Sequence, residues 1–240
     1  MRLHRFFVKE PLQADGKPIA DDLIIDTESL IHQWRNVFKL NTGSFVVLFD
    51  GSGFEAYCQI VSLTYLKAEL QILELKKNKN VPAIEICLFQ SLIKKDNFEW
   101  VLEKGTELGV THFVPIISER SEKKDFNITR GKKIITEAAE QSGRAIVPTL
   151  HEVMKLSDVA KKSQLPSFAF HPETERRFDY LKEKRVLSGE KAGLYIGPEG
   201  GFTEREIELF NETNIEVVAL GAQILRAETA AVAVSALLLL

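Results

Sequence analysis

Two kinds of hydrophobic pattern succeed one another along this chain of 240 residues. Before residue 76 the apolar positions mostly alternate with polar ones. Residues 44–49 and 54–61 flank the turn Asp50-Gly51-Ser52-Gly53 and predict two antiparallel strands, and residues 67–75 predict a third. Ahead of them, Leu30, Ile31, Trp34, Val37 and Phe38 fall at helical spacing within residues 27–40. After residue 82 short apolar runs alternate with helical patterns. The runs are 84–89, 110–117, 167–170, 193–196 and 215–220; the helical patterns cover 97–108, 128–142, 173–184 and 204–212. Such an order predicts an α/β fold with a mostly parallel sheet and helices on both faces. Gly109 and Gly143 stand where helices should stop, and Thr203-Glu204-Arg205-Glu206 has the form of a capping box.

The polar, cationic stretch 76–82 ends in Pro82 and separates the two patterns, so the domains expected are 1–75 and 76–240. Residues 230–240 are apolar except for Ser235, a run well short of the ~20 residues that cross a bilayer. A helix apolar on all sides is instead buried, under the sheet or in a subunit interface. The N-terminus has no apolar stretch long enough for a signal peptide, and a cytoplasmic location is expected. Cys58 and Cys87 lie in strand-like runs with no second ligand at metal spacing, so both read as core residues and no metal is expected. With 31 basic and 34 acidic side chains, any nucleic-acid contact has to come from local clusters and not from a global field.

Candidate chemistry gathers near the end of the chain. Gly197-Pro198-Glu199-Gly200-Gly201 follows the run Leu194-Tyr195-Ile196, and a second loop, Leu220 to Thr229, follows the run 215–220. Two backbone-rich loops that each end a strand and lead into a helix make one ligand crevice in an open α/β sheet. The glycine loop is no Walker loop, because Phe202-Thr203 stand where Lys and Ser or Thr are needed, and it lacks the dinucleotide spacing. Its free backbone N–H groups and rigid Pro198 suit the edge of a neutral heterocycle such as adenine. The alternative is a turn that only starts the next helix. Lys94-Lys95, Arg120, Lys123-Lys124 and Arg144 fall at loops, where they form a phosphate-binding face or simply solvated helix ends.

Five stretches in order resemble the RsmE family of 16S ribosomal RNA uridine-N3 methyltransferases: Arg5-Phe6-Phe7; His32 with Arg35, Val37 and Lys39; Lys104-Gly105-Thr106-Glu107-Leu108-Gly109-Val110; Glu140-Gln141-Ser142-Gly143-Arg144 with Pro148; and the two C-terminal loops, preceded by His171-Pro172. The resemblance implies an N-terminal PUA-like β-barrel for RNA and a C-terminal SPOUT α/β domain with a deep trefoil knot. It further implies S-adenosylmethionine as cofactor, a homodimer, and 16S rRNA, within the small subunit, as substrate. The cofactor residues it implies are Phe170, His171, Ile196, Gly197, Glu199, Gly200, Leu220, Gly221, Ile224 and Leu225. RNA contacts are expected from Arg5, Arg35, Lys39, Lys94 and Arg120. One position departs from the pattern: Gln223 stands where the family usually has Arg.

Uridine N3 attacks only after losing its proton, and the resulting charge spreads over the ring carbonyls. Arg226 is therefore the expected stabiliser of that anion. Glu228 would orient Arg226 or take the proton, orientation ranking first, while Arg144, with Glu140 and Gln141, is a second choice for the catalytic set, reached across the dimer; the alternative for these three is helix termination and packing. Phe6, Phe7 and Trp34 read as core in preference to base-stacking groups. The competing reading is a non-catalytic or differently targeted RNA-binding protein of the same fold.

Overall fold

The structure, a computed structural model, describes residues 3–179, 182 and 191–240. It contains two compact units: Met1–Asn80 together with Ala139–Ile146, and Val81–Ala138 together with Val147–Leu240.

In the first unit, β1 (His4–Phe7), β4 (Asp22–Ile25), β5 (Phe45–Phe49), β6 (Phe54–Leu63) and β7 (Ala68–Lys77) form a sheet of order β1-β5-β6-β7-β4. A small hairpin, β2 (Gln13–Ala14) and β3 (Lys17–Pro18), and helix α1 (Glu28–His32) complete it. β1 runs parallel to β5 and every other pairing of this sheet is antiparallel. Alternation puts Val46, Leu48, Ala56, Cys58, Ile60, Ala68 and Leu70 in one core with Phe6, Leu30, Ile31 and Trp34. Phe6 and Trp34 are thus core, their rings 5.3 Å apart. Val37 is not: a π-helical turn (Gln33–Val37) follows α1, and its extra residue rotates Val37 outward to 64% exposure. β7 continues through Lys76 and Lys77, so the units divide after Asn80 and not at residue 75.

The segment Ala139–Ile146 joins this unit through polar contacts. Phe7 N donates to Glu140 Oε1 at 2.9 Å, and Gly53 N to the Ala145 carbonyl at 3.3 Å. The Asn78 amide donates to Glu55 and, at 3.0 Å, to the Gly143 carbonyl. Arg5 pairs with Glu55 at 2.5 Å and donates to the Arg144 carbonyl at 3.2 Å. One expectation changes here. Arg5, largely buried and engaged by a carboxylate, is a strut within the unit and is not offered to a phosphate. Arg144 is 6% exposed, and burial pushes its guanidinium down to about 10, which still leaves it charged at neutral pH.

In the second unit, β10 (Thr149–Leu150), β9 (His112–Ile117), β8 (Glu85–Ser91), β13 (Lys191–Ile196), β12 (Ser167–Phe170) and β14 (Glu216–Val218) lie side by side in that order, with β11 (Met154–Lys155) also against β9. Every pairing is parallel. A parallel sheet needs cover on both faces, and the runs supply it by strict alternation. Ile86, Leu88, Phe113, Phe168, Phe170, Leu194 and Ile196 face α2 (Lys95–Leu108), α3 (Ile128–Ser142) and α6 (Ala227–Leu239). Phe89, Val114, Ile116, Ala169 and Tyr195 face α4 (Leu156–Lys162) and α5 (Glu204–Glu212). The apolar last helix buries Ala227, Ala231, Val234 and Leu238 against the first of these layers.

Gly109, at φ 119°, ends α2 by donating to the carbonyls of Gly105 and Thr106, and the capping box forms between Thr203 and Glu206. The helix expected over 173–184 does not form through residue 179. That stretch instead pairs Arg177 with Ala219 and packs Phe178 edge-to-face against Phe168 and Phe170. Residues 180, 181 and 183–190 lie outside the described residues.

Two stability predictions follow from this packing. A Cβ at Gly105 would lie 2.8 Å from the Phe113 ring, so Gly105→Ala lowers stability by about 1–3 kcal/mol, although the same change in an exposed helix would raise it by about 1. The urea midpoint reads the sign. His112 Nδ1 lies 3.2 Å from His151 Nε2, and burial together with His151 lowers the His112 pKa below its usual 6.5. The unfolded chain then takes up this proton first, so stability is full above pH 6.5 and falls as pH drops below it. His112→Asn flattens the dependence of the thermal midpoint on pH between neutrality and mild acid.

Candidate functional site: a cleft lined by two backbone loops

The strand order reverses direction between β8 and β13. From β8 the chain leads through α2 outward to β9, and from β13 through α5 to β14 on the opposite side. At such a switch point the loops leaving the strands' carboxyl ends diverge and open a crevice. Here the crevice is a cleft of about 1560 Å³, and it is built by the loops after β8, β9, β12, β13 and β14.

The loop after β13 turns through a hydrogen bond from Gly201 N to the Pro198 carbonyl at 2.9 Å, with Gly201 at φ 67°. Glu199 reaches sideways, and its Oε1 accepts from Lys94 N at 3.2 Å. Arg120 Nη1 donates to the Gly200 carbonyl at 2.7 Å and the Phe202 carbonyl at 3.4 Å. Buried Glu206 accepts from Thr203 N at 2.9 Å and from Glu119 N at 2.8 Å, which ties the end of this loop to the loop after β9.

The loop after β14 is fastened from the other side. Ala219 N donates to the Arg176 carbonyl at 2.8 Å, Phe178 N donates to the Ala219 carbonyl at 2.9 Å, and Arg177 Nη1 donates to the Gly221 carbonyl. Beyond this anchor Ile224 is 82% exposed, and Leu225 is half open beside it. Arg226 is the N-cap of α6, with extended backbone and an exposed side chain that makes no ion pair among the described residues. Glu228 lies in the first turn of α6, yet no ion pair joins it to Arg226, so the expected orienting contact is absent. On the loop after β12, the buried His171 Nδ1 has no hydrogen-bond partner among the described residues, and His171 Nε2 lies 3.7 Å from Glu173.

All ten residues expected to hold the cofactor line this one cleft: Phe170, His171, Ile196, Gly197, Glu199, Gly200, Leu220, Gly221, Ile224 and Leu225. Arg226, Glu228, Lys94 and Arg120 line it too. Arg5, Arg35, Lys39 and Arg144 belong to the first unit. There the Arg35 guanidinium stacks 3.7 Å from the centroid of the exposed Tyr65 ring, and Lys39 is exposed. Sequence reasoning missed Arg177 and the second partner of Glu206. The basic pair Arg176-Arg177 was the sole trace of the former, and the capping box pointed to only half of the latter. Among the described residues, no group of three or more His, Cys, Asp or Glu is placed to hold a metal ion, and no helix is long and apolar enough to cross a membrane.

Fold and cleft together define an open parallel α/β domain that takes a ligand across its switch point, in the manner of nucleotide- and nucleoside-binding enzymes. A family profile described as an RNA methyltransferase domain matches residues 79–239. Ribosomal RNA small subunit methyltransferase E of Bacillus subtilis is 32% identical over 83% of this chain and 83% of its own length. The protein of that name from Rickettsia conorii is 29% identical over 97% and 93%. Among solved structures, a ribosomal RNA small subunit methyltransferase E from Neisseria gonorrhoeae, bound to S-adenosyl methionine, superposes with a TM-score of 0.85 at 28% identity, covering 98% of this chain and 96% of that one. The chain belongs to the RNA methyltransferase family.

Gly201→Ala forces a side chain into the left-handed region and costs about 1–2 kcal/mol, although nothing crowds a Cβ there. A shift of the denaturant midpoint by that amount, with unchanged slope, is the expected reading.

Proposed function

We propose that this chain is an S-adenosylmethionine-dependent methyltransferase that methylates N3 of a uridine in 16S ribosomal RNA of the small subunit. The observation that carries the reading is the convergence of both backbone loops, with all ten expected cofactor residues, on one cleft. The cleft fits the cofactor. Its loops present main chain to an adenine edge, its floor is apolar at Phe170, Ile196 and Leu220, and the buried His171 Nδ1 has no partner among the described residues. When bound, S-adenosylmethionine supplies a methyl group carried on a sulfonium.

The remaining chemistry falls to this chain's own residues. Arg226, exposed at the cleft and with no ion pair among the described residues, stabilises the charge that spreads over the uracil carbonyls when N3 loses its proton. Glu228, which lines the same cleft and makes no ion pair with Arg226, accepts that proton in this reading. Apolar Ile224 and Leu225 close over the reactants and keep water out, which favours a transfer that neutralises charge. Because N3 lies on the pairing edge, the target base is unpaired or flipped. Lys94, Arg35 and Lys39 contact phosphates.

In the same reading the first unit is a PUA-like β-barrel and the second a SPOUT domain whose C-terminal segment is knotted. The second copy of a homodimer covers Val232, Ala233, Ala236 and Leu237 of α6, which are only half-buried, along with exposed Leu240. The proposed location is the cytoplasm.

Purified small subunits lacking the modification, incubated with the protein and labelled donor, gain N3-methyluridine; absence of label rules the reading out. Arg226→Ala lowers kcat by about 10²-fold or more and leaves the dissociation constant for S-adenosylmethionine within about threefold.

A further inference from the structure

We infer that Arg120 is a positioning residue for the glycine loop of the cofactor site, and that its guanidinium acts on loop carbonyls and not on an RNA phosphate. This rests on reading the cleft as the site for S-adenosylmethionine.

The loop 197–201 carries three glycines and one internal hydrogen bond, from Gly201 N to the Pro198 carbonyl. Left to itself such a segment samples many conformations. Two tethers hold it, both from loops that leave neighbouring strands. Glu199 is anchored on Lys94 N, and Arg120 spans the carbonyls of Gly200 and Phe202, on either side of Gly201. A trans peptide points its C=O and N–H in opposite directions, so fixing a carbonyl also fixes where the neighbouring amide aims. Among the described residues, Glu199 N and Gly200 N have no hydrogen-bond partner, which leaves them for a ligand.

Arg120 is itself prepared for this task. The segment around it is fixed by buried hydroxyls, with Ser118 Oγ 3.0 Å from Ser91 Oγ and 2.9 Å from Ser121 Oγ. The backbone just before it is fixed by the bond from Glu119 N to Glu206. The arginine stem runs close along the loop, near enough that a Cβ at Gly200 would be in van der Waals contact, 3.4 Å from Arg120 Cβ and Cδ. Both bonds come from one nitrogen, Nη1, which the rigid planar guanidinium holds at the end of a long stem; the ammonium of lysine has donors enough but rotates freely and sits closer to the backbone.

The test compares Arg120→Ala and Arg120→Lys in the full chain. Isothermal titration with S-adenosylmethionine shows the dissociation constant rising by about tenfold in the alanine variant and recovering only partly in the lysine variant. KM for small subunits and kcat at saturating cofactor stay within about threefold. Unchanged cofactor affinity, with a raised RNA KM that lysine restores, overturns the proposal and makes Arg120 a phosphate contact. Hydrogen exchange without cofactor provides a readout independent of the ligand. Amides of residues 197–203 exchange faster in Arg120→Ala while the rest of the sheet is unaltered, and equal rates overturn the tether. A wild-type chain that fails to bind S-adenosylmethionine sinks the cofactor reading, and with it this role of Arg120, even if exchange shows the tether to be real.

Discussion

Parallel pairing of β8 with β13, from Lys191 opposite Glu85 to Ile196 opposite Gln90, is the contact that the cleft depends on, because it sets the two strands whose chains then diverge side by side. Hydrogen bonds alone would permit other neighbours. What makes this pairing the stable one is that Ile86 and Leu88 share a face with Leu194 and Ile196, while Phe89 stacks on Tyr195 on the other, their ring centroids 4.3 Å apart. A slip of one residue would exchange the two faces of β13 and put each set against the wrong helices. The ion pair of Lys191 with Glu85, at 2.6 Å, marks the start of the register but is too exposed to set it.

With the strands so placed, the loops beyond them share a common economy. Each presents main chain to the cleft, and each is held from behind by side chains that bind its carbonyls or accept from its flanks: Arg120 and Glu206 for one, Arg177 for the other. Ligand recognition by backbone needs little from the side chains at the recognising positions. It asks a great deal of residues that never touch the ligand, because a peptide group is only as well aimed as its neighbours make it. This division explains why glycines cluster at the surface of the cleft while buried polar groups such as Ser118 and Glu206 gather just behind it.

The parts of this arrangement legible in the sequence were those written in local periodicity. Runs such as 84–89 and 193–196 are apolar but for Glu85 at the exposed start of β8, because both faces of their strands are covered, and the loops that follow them carry the site. Phe6 and Trp34 read as core for the same reason. What stayed hidden was long-range or cancelled the local period. The bond from Phe7 to Glu140 spans 133 residues, and that from Arg5 to the Arg144 carbonyl spans 139; a polar pair at that separation leaves no periodic trace. Arg5 and Arg144 therefore looked like free cations. Val37 looked buried because a 3.6-residue period was carried through a turn that has a different one. The segment 173–179 looked helical because it is polar with spaced apolar residues, yet Phe178 is drawn onto Phe168 and Phe170, where a helix would not place it.

The first unit is not continuous in the chain, since its last piece, Ala139–Ile146, follows a strand, a helix, another strand and most of α3 of the second. As the chain is synthesised from its N-terminus, Arg5 and Glu55 can pair at once, but the Phe7 amide and the Gly53 amide lack their acceptors, Glu140 and the Ala145 carbonyl, until some sixty further residues have been added. A cut after Asn80 would therefore strand the β-sheet unit without the eight residues that complete it, so no single division of the chain yields both units whole.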